Sequence, residues 1–166
     1  DDETGEVRRR CTAQGIADES RWARGQAWSI YGFTVAYRFT GDERYLDHAK
    51  KVAEYLLVNE DNMPEDMVPL FDAVEFAKVY PEYEKYVDQR DASSAAIIAS
   101  ALYELWWYTR EDLYIKSADK MIESLSKAPY RAEIGTNGGF ILKHSVGSIP
   151  HGGNIDVPLN YADYYL

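Results

Sequence analysis

Gln26-Ala27-Trp28-Ser29-Ile30-Tyr31-Gly32-Phe33-Thr34-Val35-Ala36-Tyr37-Arg38-Phe39 decides the fold. Its apolar residues fall almost all round a helix, through Trp28, Ile30, Tyr31, Phe33, Val35, Ala36, Tyr37 and Phe39. The spacing predicts a helix enclosed by other helices rather than one lying on a surface. Thr40-Gly41-Asp42-Glu43 ends it: Gly41 is free to turn left-handed and Asp42 is a favoured N-cap for a second helix. That helix, from Glu43 to Leu57, carries one narrow apolar stripe of Tyr45, Leu46, Ala49, Val52, Ala53, Leu56 and Leu57, with Lys50, Lys51 and Glu54 on the opposite, wet face.

The same pair returns further along. Asp91 is placed to cap a helix from Ala92 to Tyr108, apolar nearly all round through Ala95, Ile97, Ile98, Leu102, Leu105, Trp106 and Trp107. After Thr109-Arg110-Glu111-Asp112 comes an amphipathic helix with Tyr114, Ile115, Ala118, Met121, Ile122 and Leu125 on one stripe. The two hairpins align without a gap at a shift of 69 residues, which lays Thr40, Tyr45, Ala49, Lys51, Glu54 and Leu56 on Thr109, Tyr114, Ala118, Lys120, Glu123 and Leu125. An enclosed helix followed by an amphipathic one, repeated, means an inner and an outer layer. The expected fold is all-α, a partial (α/α)6 toroid; a plain four-helix bundle would make all four helices similarly amphipathic. Two hairpins and a further helix starting near Leu159 cannot close such a ring. Residues 1–166 are therefore expected to be part of a single α/α-barrel domain, cut at both ends.

Composition narrows the partners. With 28 acidic residues against 18 basic ones and no basic run, the chain is a poor match to nucleic acid. No apolar stretch reaches spanning length, so no membrane partner is expected. Cys11 is alone, which excludes an internal disulfide and a cysteine-based metal site, and it is expected to be a small, partly buried residue. His48 belongs to the outer helix, and His144 and His151 bracket a glycine-rich loop without a ligand set around them, so neither metal nor cofactor is expected. No nucleophile elbow and no phosphate-cradling glycine loop is present.

Long connections mark the site end of the barrel. Residues 1–19 lack a period and are expected to form a loop or ribbon turning at Gln14-Gly15. Residues 58–90 contain Val68-Pro69-Leu70-Phe71-Asp72, and 129–158 contain Gly138-Gly139-Phe140-Ile141-Leu142, which resembles a short strand or hairpin. A toroid gathers such loops around its pocket, bringing together the start of the first inner helix, the Asp72 loop and the Ser145 loop. There Trp22 and Trp28 flank Arg24, rings beside a guanidinium that suit a planar carboxylated ligand such as an acidic sugar. The plainer alternative makes both tryptophans core and Arg24 a solvated cap. Asp91 is expected to be a cap and Asp72 a structural hydrogen-bonding group. Ser145 and Ser148, beside Lys143 and His144, can hold an anion or sugar hydroxyl or merely stabilise their own turn.

Together these residues resemble the unsaturated glucuronyl hydrolases, a glycoside hydrolase family (family 88) with an (α/α)6 barrel. The likeness rests on Cys11-Thr12-Ala13-Gln14-Gly15, Trp22-Ala23-Arg24-Gly25-Gln26-Ala27-Trp28, Arg90-Asp91-Ala92-Ser93-Ser94-Ala95, Lys143-His144-Ser145 and Asp156-Val157-Pro158 through Asp163-Tyr164-Tyr165. It implies a substrate left by a polysaccharide lyase, an oligosaccharide ending in a 4,5-unsaturated uronic acid such as those from glycosaminoglycans. An aspartic acid protonates C4 of the vinyl ether, water adds at C5, and the hemiketal opens to release the sugar. That differs from displacement at the anomeric carbon by paired carboxylates.

The resemblance puts Gln14 and Arg24 near the substrate carboxylate, Trp22 and Trp28 against the sugar, and Ser145 and Ser148 near the next sugar. Where some members carry a lysine two residues beyond the second serine, this chain has Pro150, a departure that bears on sulfate preference. The family's catalytic aspartates fall well before its Trp-Ala-Arg-Gly-Gln motif. Only 21 residues precede Trp22, and Asp1, Asp2 and Asp18 lack the catalytic context. No catalytic residue is therefore expected in this chain, which matches the C-terminal portion of the enzyme. Its expected partners are the unsaturated oligosaccharide and either the rest of the barrel or a second copy of itself. The related unsaturated rhamnogalacturonyl hydrolases, and a non-catalytic helical carbohydrate-binding piece, are the alternatives.

Overall fold

Each hairpin turn is built by a threonine. In the computed structural model, which describes residues 1–58 and 63–166, helix α1 (Ala23–Thr40) passes to α2 (Glu43–Val58) through Gly41-Asp42. Thr40 donates its hydroxyl to the carbonyl of Ala36 at 2.7 Å and accepts the N–H of Asp42 at 3.2 Å. Gly41 takes φ 66° and returns its N–H to Tyr37 O at 2.8 Å, while Asp42 caps α2 by accepting the Arg44 N–H at 3.0 Å. The second hairpin, α4 (Ala92–Thr109) and α5 (Asp112–Leu125), repeats the device. Thr109 bonds Leu105 O at 3.0 Å and the Glu111 N–H at 3.3 Å, and Arg110 stands at φ 59° with its N–H on Trp106 O. The sequence repeat is thus also a repeat of hydrogen bonds.

The helices stack in two layers. Inner helices α1 and α4 pack on each other, each backed by its own outer helix, and a short α6 (Asn160–Tyr165) lies against α4 and reaches the aromatic residues of α1. The shared core joins Ala27 and Ile30 of α1, Leu46, Ala49 and Ala53 of α2, Ile97, Ile98, Leu102 and Leu105 of α4, and Tyr114, Ala118 and Met121 of α5. Small residues let the inner layer close up: Ala92, Ser93, Ser94, Ala95, Ala96, Ala99 and Ala101 are all buried. Ion pairs stitch the seam. Arg38 of α1 meets Glu104 of α4 in a two-pronged contact, and Lys50 of α2 reaches Glu111 at 2.8 Å, ahead of α5. Among the described residues the chain forms helices, turns and isolated bridges, the architecture of a partial α/α toroid.

Several expectations are corrected here. The inner helices are not enclosed all round. Through its first two turns and more, α4 is sealed, yet Trp107 is 62 % exposed, and Phe39 on α1 is 78 % exposed, because no element of the described chain packs over those faces. Lys50 and Glu54 do not simply face water. They line the seam between hairpins, Glu54 accepting the Tyr114 hydroxyl at 3.2 Å. Cys11 is exposed rather than partly buried. The connection between hairpins holds a six-residue helix α3 (Val74–Val79) and a 3-10 turn (Pro81–Tyr86) that the sequence pattern did not reveal. The glycine-rich stretch takes the hairpin alternative rather than a regular strand: a 3-10 turn (Asn137–Gly139) tips an antiparallel ribbon bridged at Arg131 and Leu142.

Candidate functional site

Three loops converge at the start of α1. Ala23 donates its N–H to Phe71 O at 3.0 Å, which begins the helix on the Asp72 loop. Asp72 is buried and accepts Ile16 N–H at 2.8 Å, the Ser20 hydroxyl at 2.7 Å and Ala73 N–H at 2.7 Å. Burial pushes its carboxyl above the ordinary carboxylate range, against the lowering effect of those hydrogen bonds and of Arg21. Its work is to pin the N-terminal ribbon, the structural role expected of it. Gly15 is required by the same junction: a Cβ there would lie 2.7 Å from Thr12 Oγ1, 3.0 Å from Trp22 Cβ and 3.1 Å from Asp72 Oδ2.

Arg24 is the centre of the arrangement. Only 3 % exposed, it is neither a solvated cap nor an open anchor. Its Nη1 donates to Asp91 Oδ2 at 3.0 Å and to Val146 O, and its Nη2 donates to Gln14 Oε1 at 3.1 Å and to Gly147 O. All four terminal N–H groups are thereby engaged by protein oxygens. The guanidinium also lies 5.2 Å from the Trp22 ring and 5.7 Å from the Tyr161 ring. Asp91 is fully buried and does cap α4, accepting from Ser93 N at 3.2 Å. It further accepts the hydroxyls of Ser93 at 2.5 Å and Ser94 at 2.6 Å and the Val146 N–H at 3.3 Å. These contacts fix the Asp91 carboxyl in place as the partner of Arg24.

This geometry orients Gln14. A guanidinium only donates, so the side-chain oxygen of Gln14 must face Arg24 and its amide nitrogen must face away. That nitrogen has no acceptor among the described residues and is a preset donor for a carboxylate. Trp22 packs its ring over Gly25, where a Cβ would meet Trp22 Cε3 at 2.8 Å. Trp28, one turn beyond Arg24, is 37 % exposed and meets Tyr165 edge-on at 5.4 Å and Tyr31 at 6.1 Å. Tyr165 in turn meets Tyr31 at 5.1 Å and Tyr164 at 4.9 Å, and its hydroxyl is pushed up to about 12 by burial and by Tyr31.

Of the residues singled out in the sequence, Gln14, Trp22, Arg24 and the 145–148 loop come together, and Trp28 continues the wall. Ser148 donates toward Gln14 O at 3.4 Å and lies 2.8 Å from His151 Nδ1. Ser145 is sealed: its Oγ is buried with no partner among the described residues, so in this conformation it offers no hydroxyl to the surface. Sequence reasoning missed Asp91 as the mate of Arg24, although an arginine beside two tryptophans calls for a counter-charge. It also missed Tyr161 and Tyr165, which sit four apart on α6 and so share a face.

Fold and site define a section of an α/α toroid whose inner layer carries an arginine-centred, aromatic-lined site. No protein-family model matches the chain. An unsaturated glucuronyl hydrolase from Formosa agariphila is 40 % identical over 163 residues, covering 98 % of this chain and 39 % of that protein. The crystal structure of an unsaturated glucuronyl hydrolase specific for heparin superposes with a TM-score of 0.84 at 44 % identity, over 97 % of this chain and 42 % of that one. A mutant of the Streptococcus agalactiae enzyme, solved with dGlcA-GalNAc6S, superposes with a TM-score of 0.76 at 32 % identity, over 99 % of this chain and 42 % of its own. Over nearly its whole length the chain is similar to one part of the unsaturated glucuronyl hydrolases. It spans about two fifths of the length of the relatives it matches.

Proposed function

We propose that this chain is the C-terminal part of a single α/α-barrel hydrolase that removes a terminal 4,5-unsaturated glucuronic acid from lyase-generated oligosaccharides. The observation that carries the proposal is the Arg24–Gln14 contact at 3.1 Å, which turns the Gln14 amide nitrogen away from the guanidinium as a donor. In this arrangement the uronate carboxylate accepts from Gln14 and lies in the field of the Arg24 guanidinium, while Trp22 and Trp28 pack on the flattened ring. Arg24 acts on the substrate through Gln14 and the loop it holds, because its own terminal donors are engaged. Ser148 faces the next sugar, and Ser145 reaches it only if the loop opens. The dGlcA-GalNAc6S complex of the Streptococcus agalactiae relative supports the substrate class.

The reaction hydrates the vinyl ether. A carboxylic acid gives its proton to C4, and a water oxygen bonds to C5 and releases its own proton. The C5 hemiketal opens to a ketone by breaking the ring C5–O bond with that oxygen protonated. The hemiacetal so formed at C1 breaks its bond to the departing sugar, which leaves as an alcohol while C1 becomes an aldehyde. The two aspartates buried at the site, Asp72 and Asp91, are engaged by three and five hydrogen-bond donors and hold structure. The proton donor is therefore assigned to the rest of the barrel. The test follows the ultraviolet absorbance of the C4–C5 double bond of an unsaturated disaccharide. The whole protein is expected to abolish it and the 166-residue chain to leave it nearly unchanged. Robust turnover by the chain alone overturns the placement of the acid, and no turnover by the whole protein overturns the function.

A further inference from the structure

The loop that gives Val146 and Gly147 to Arg24 is closed from outside by two side chains that touch none of the site residues. His144 and Asp156 stand at its two feet, with Nδ1 and Oδ1 2.6 Å apart. A carboxylate only accepts, so Nδ1 carries the proton in this pair. Next to each of them in sequence, Ser145 and Val157 exchange both backbone hydrogen bonds, each at 3.0 Å. Both feet are in the left-handed region, His144 at φ 60° and Asp156 at φ 55°. That conformation is unfavourable for an L-residue, and glycine occupies neither position. Asn154 shares the conformation at φ 54° within the loop, but His144 and Asp156 are the pair whose side chains join across its base.

We propose that the His144–Asp156 pair is a clasp that positions the loop, and through it Arg24 and Gln14, so that opening it weakens uronate binding while leaving the chemical step alone. This rests on the proposed function for its substrate. The path inward is short. His144 O accepts the Ala92 N–H at the start of α4 at 3.0 Å. Two residues on, Val146 N–H donates to Asp91 at 3.3 Å, and the carbonyls of Val146 and Gly147 accept from Arg24. Within the loop Gly147 N–H donates to Asn154 O at 2.6 Å, and Ser148 and Gly153 exchange bonds at 2.9 and 3.1 Å, so the loop moves as one piece. Gly147 allows this closure, since a Cβ there would meet Asn154 Cβ at 2.9 Å and Gly153 O at 3.0 Å. Tyr130 sets its ring edge against the imidazole at 6.2 Å, and Asp88 and Arg90 line the same recess.

The test compares Asp156→Ala, Asp156→Gly and Asp156→Asn in the whole protein that carries these residues. Alanine and glycine are expected to raise KM for an unsaturated disaccharide about tenfold, with kcat within about twofold, and to speed amide exchange at Gly147 and Ser148 about tenfold. Asparagine still accepts from Nδ1–H and is expected to restore both readouts. Glycine removes the strain at φ 55° but not the need for a partner, so a glycine variant that behaves as wild type overturns the clasp. So does an alanine variant whose KM and loop exchange stay within twofold of wild type, or one that loses kcat alone. If the wild type hydrolyses no unsaturated disaccharide, the proposed function fails, and loop exchange alone then decides the clasp.

Discussion

Replacing Arg24 with alanine tests the central claim about the site, that this arginine holds structure first and ligand second. The substitution strips a donor pair from each of two sets of acceptors: Asp91 and Val146 O on one side, Gln14 and Gly147 O on the other. Asp91 keeps four donors from Ser93, Ser94 and Val146, so its charge is not bare, but its counter-charge is gone. Breaking one side of a buried pair typically costs about 3–5 kcal/mol. For a domain of this size that corresponds to a fall in Tm of roughly 6–20 °C. Arg24→Lys keeps the charge without the fork and is expected to lose about 1–3 kcal/mol, one to three hydrogen bonds' worth. Adding Asp91→Asn to Arg24→Ala removes the orphaned charge, so the double variant is expected to be less damaged than the two single losses summed. Urea unfolding followed by tryptophan fluorescence reads this directly, since Trp22 lies 5.2 Å from the guanidinium. An Arg24→Ala protein within 1 kcal/mol of wild type, with the m-value unchanged, would refute the reasoning.

Other outcomes follow from single contacts. Gly15→Ala is expected to cost about 1–3 kcal/mol, because its Cβ would press on Thr12, Trp22 and Asp72, and chemical denaturation measures it. Arg110→Gly is expected to leave Tm nearly unchanged by thermal melt, since relief of the strain at φ 59°, about 1 kcal/mol, is offset by the loss of an exposed guanidinium from Trp106 and Trp107, about 0.5–1 kcal/mol for each ring. Asp72, raised by burial, contributes stability that is full below its unfolded pKa and is lost as pH rises through its higher folded value; ¹³C carboxyl shifts check that it titrates above ordinary aspartates. Asp42 behaves oppositely. Held at about 2 by Arg44, it contributes stability above its unfolded pKa that is lost as pH falls toward 2, and Asp42→Asn should flatten that part of the stability profile.

How much of this was legible in the chain depends on the range of the interaction. The hairpins were, because helix period, caps and turn all act within a few residues: the expected helix Glu43–Leu57 differs from the observed Glu43–Val58 by one residue. Asp91 as a cap was legible for the same reason. Its second role was not, since nothing local links it to Arg24, 67 residues earlier. Enclosure of the inner helices was overestimated, because an apolar circumference says that a helix is to be covered and not by which part of the protein. The proposal of the Trp22–Trp28 stretch as a uronate platform came only by family likeness. The sequence could not distinguish an arginine open to a ligand from one engaged by Asp91, Gln14 and two loop carbonyls. The left-handed feet of the clasp were hidden as well, for neither histidine nor aspartate signals that conformation as glycine does.

The separations along the chain carry one more consequence, in the order of assembly. Each hairpin closes on itself within a few tens of residues, whereas Arg24 finds Asp91 67 residues away and the loop carbonyls 122 and 123 residues away. Loop-closure entropy makes such distant contacts late in folding. On refolding from urea, helical far-ultraviolet ellipticity should therefore recover ahead of the tryptophan fluorescence that reports Trp22. The keystone of the site is also the last stone set.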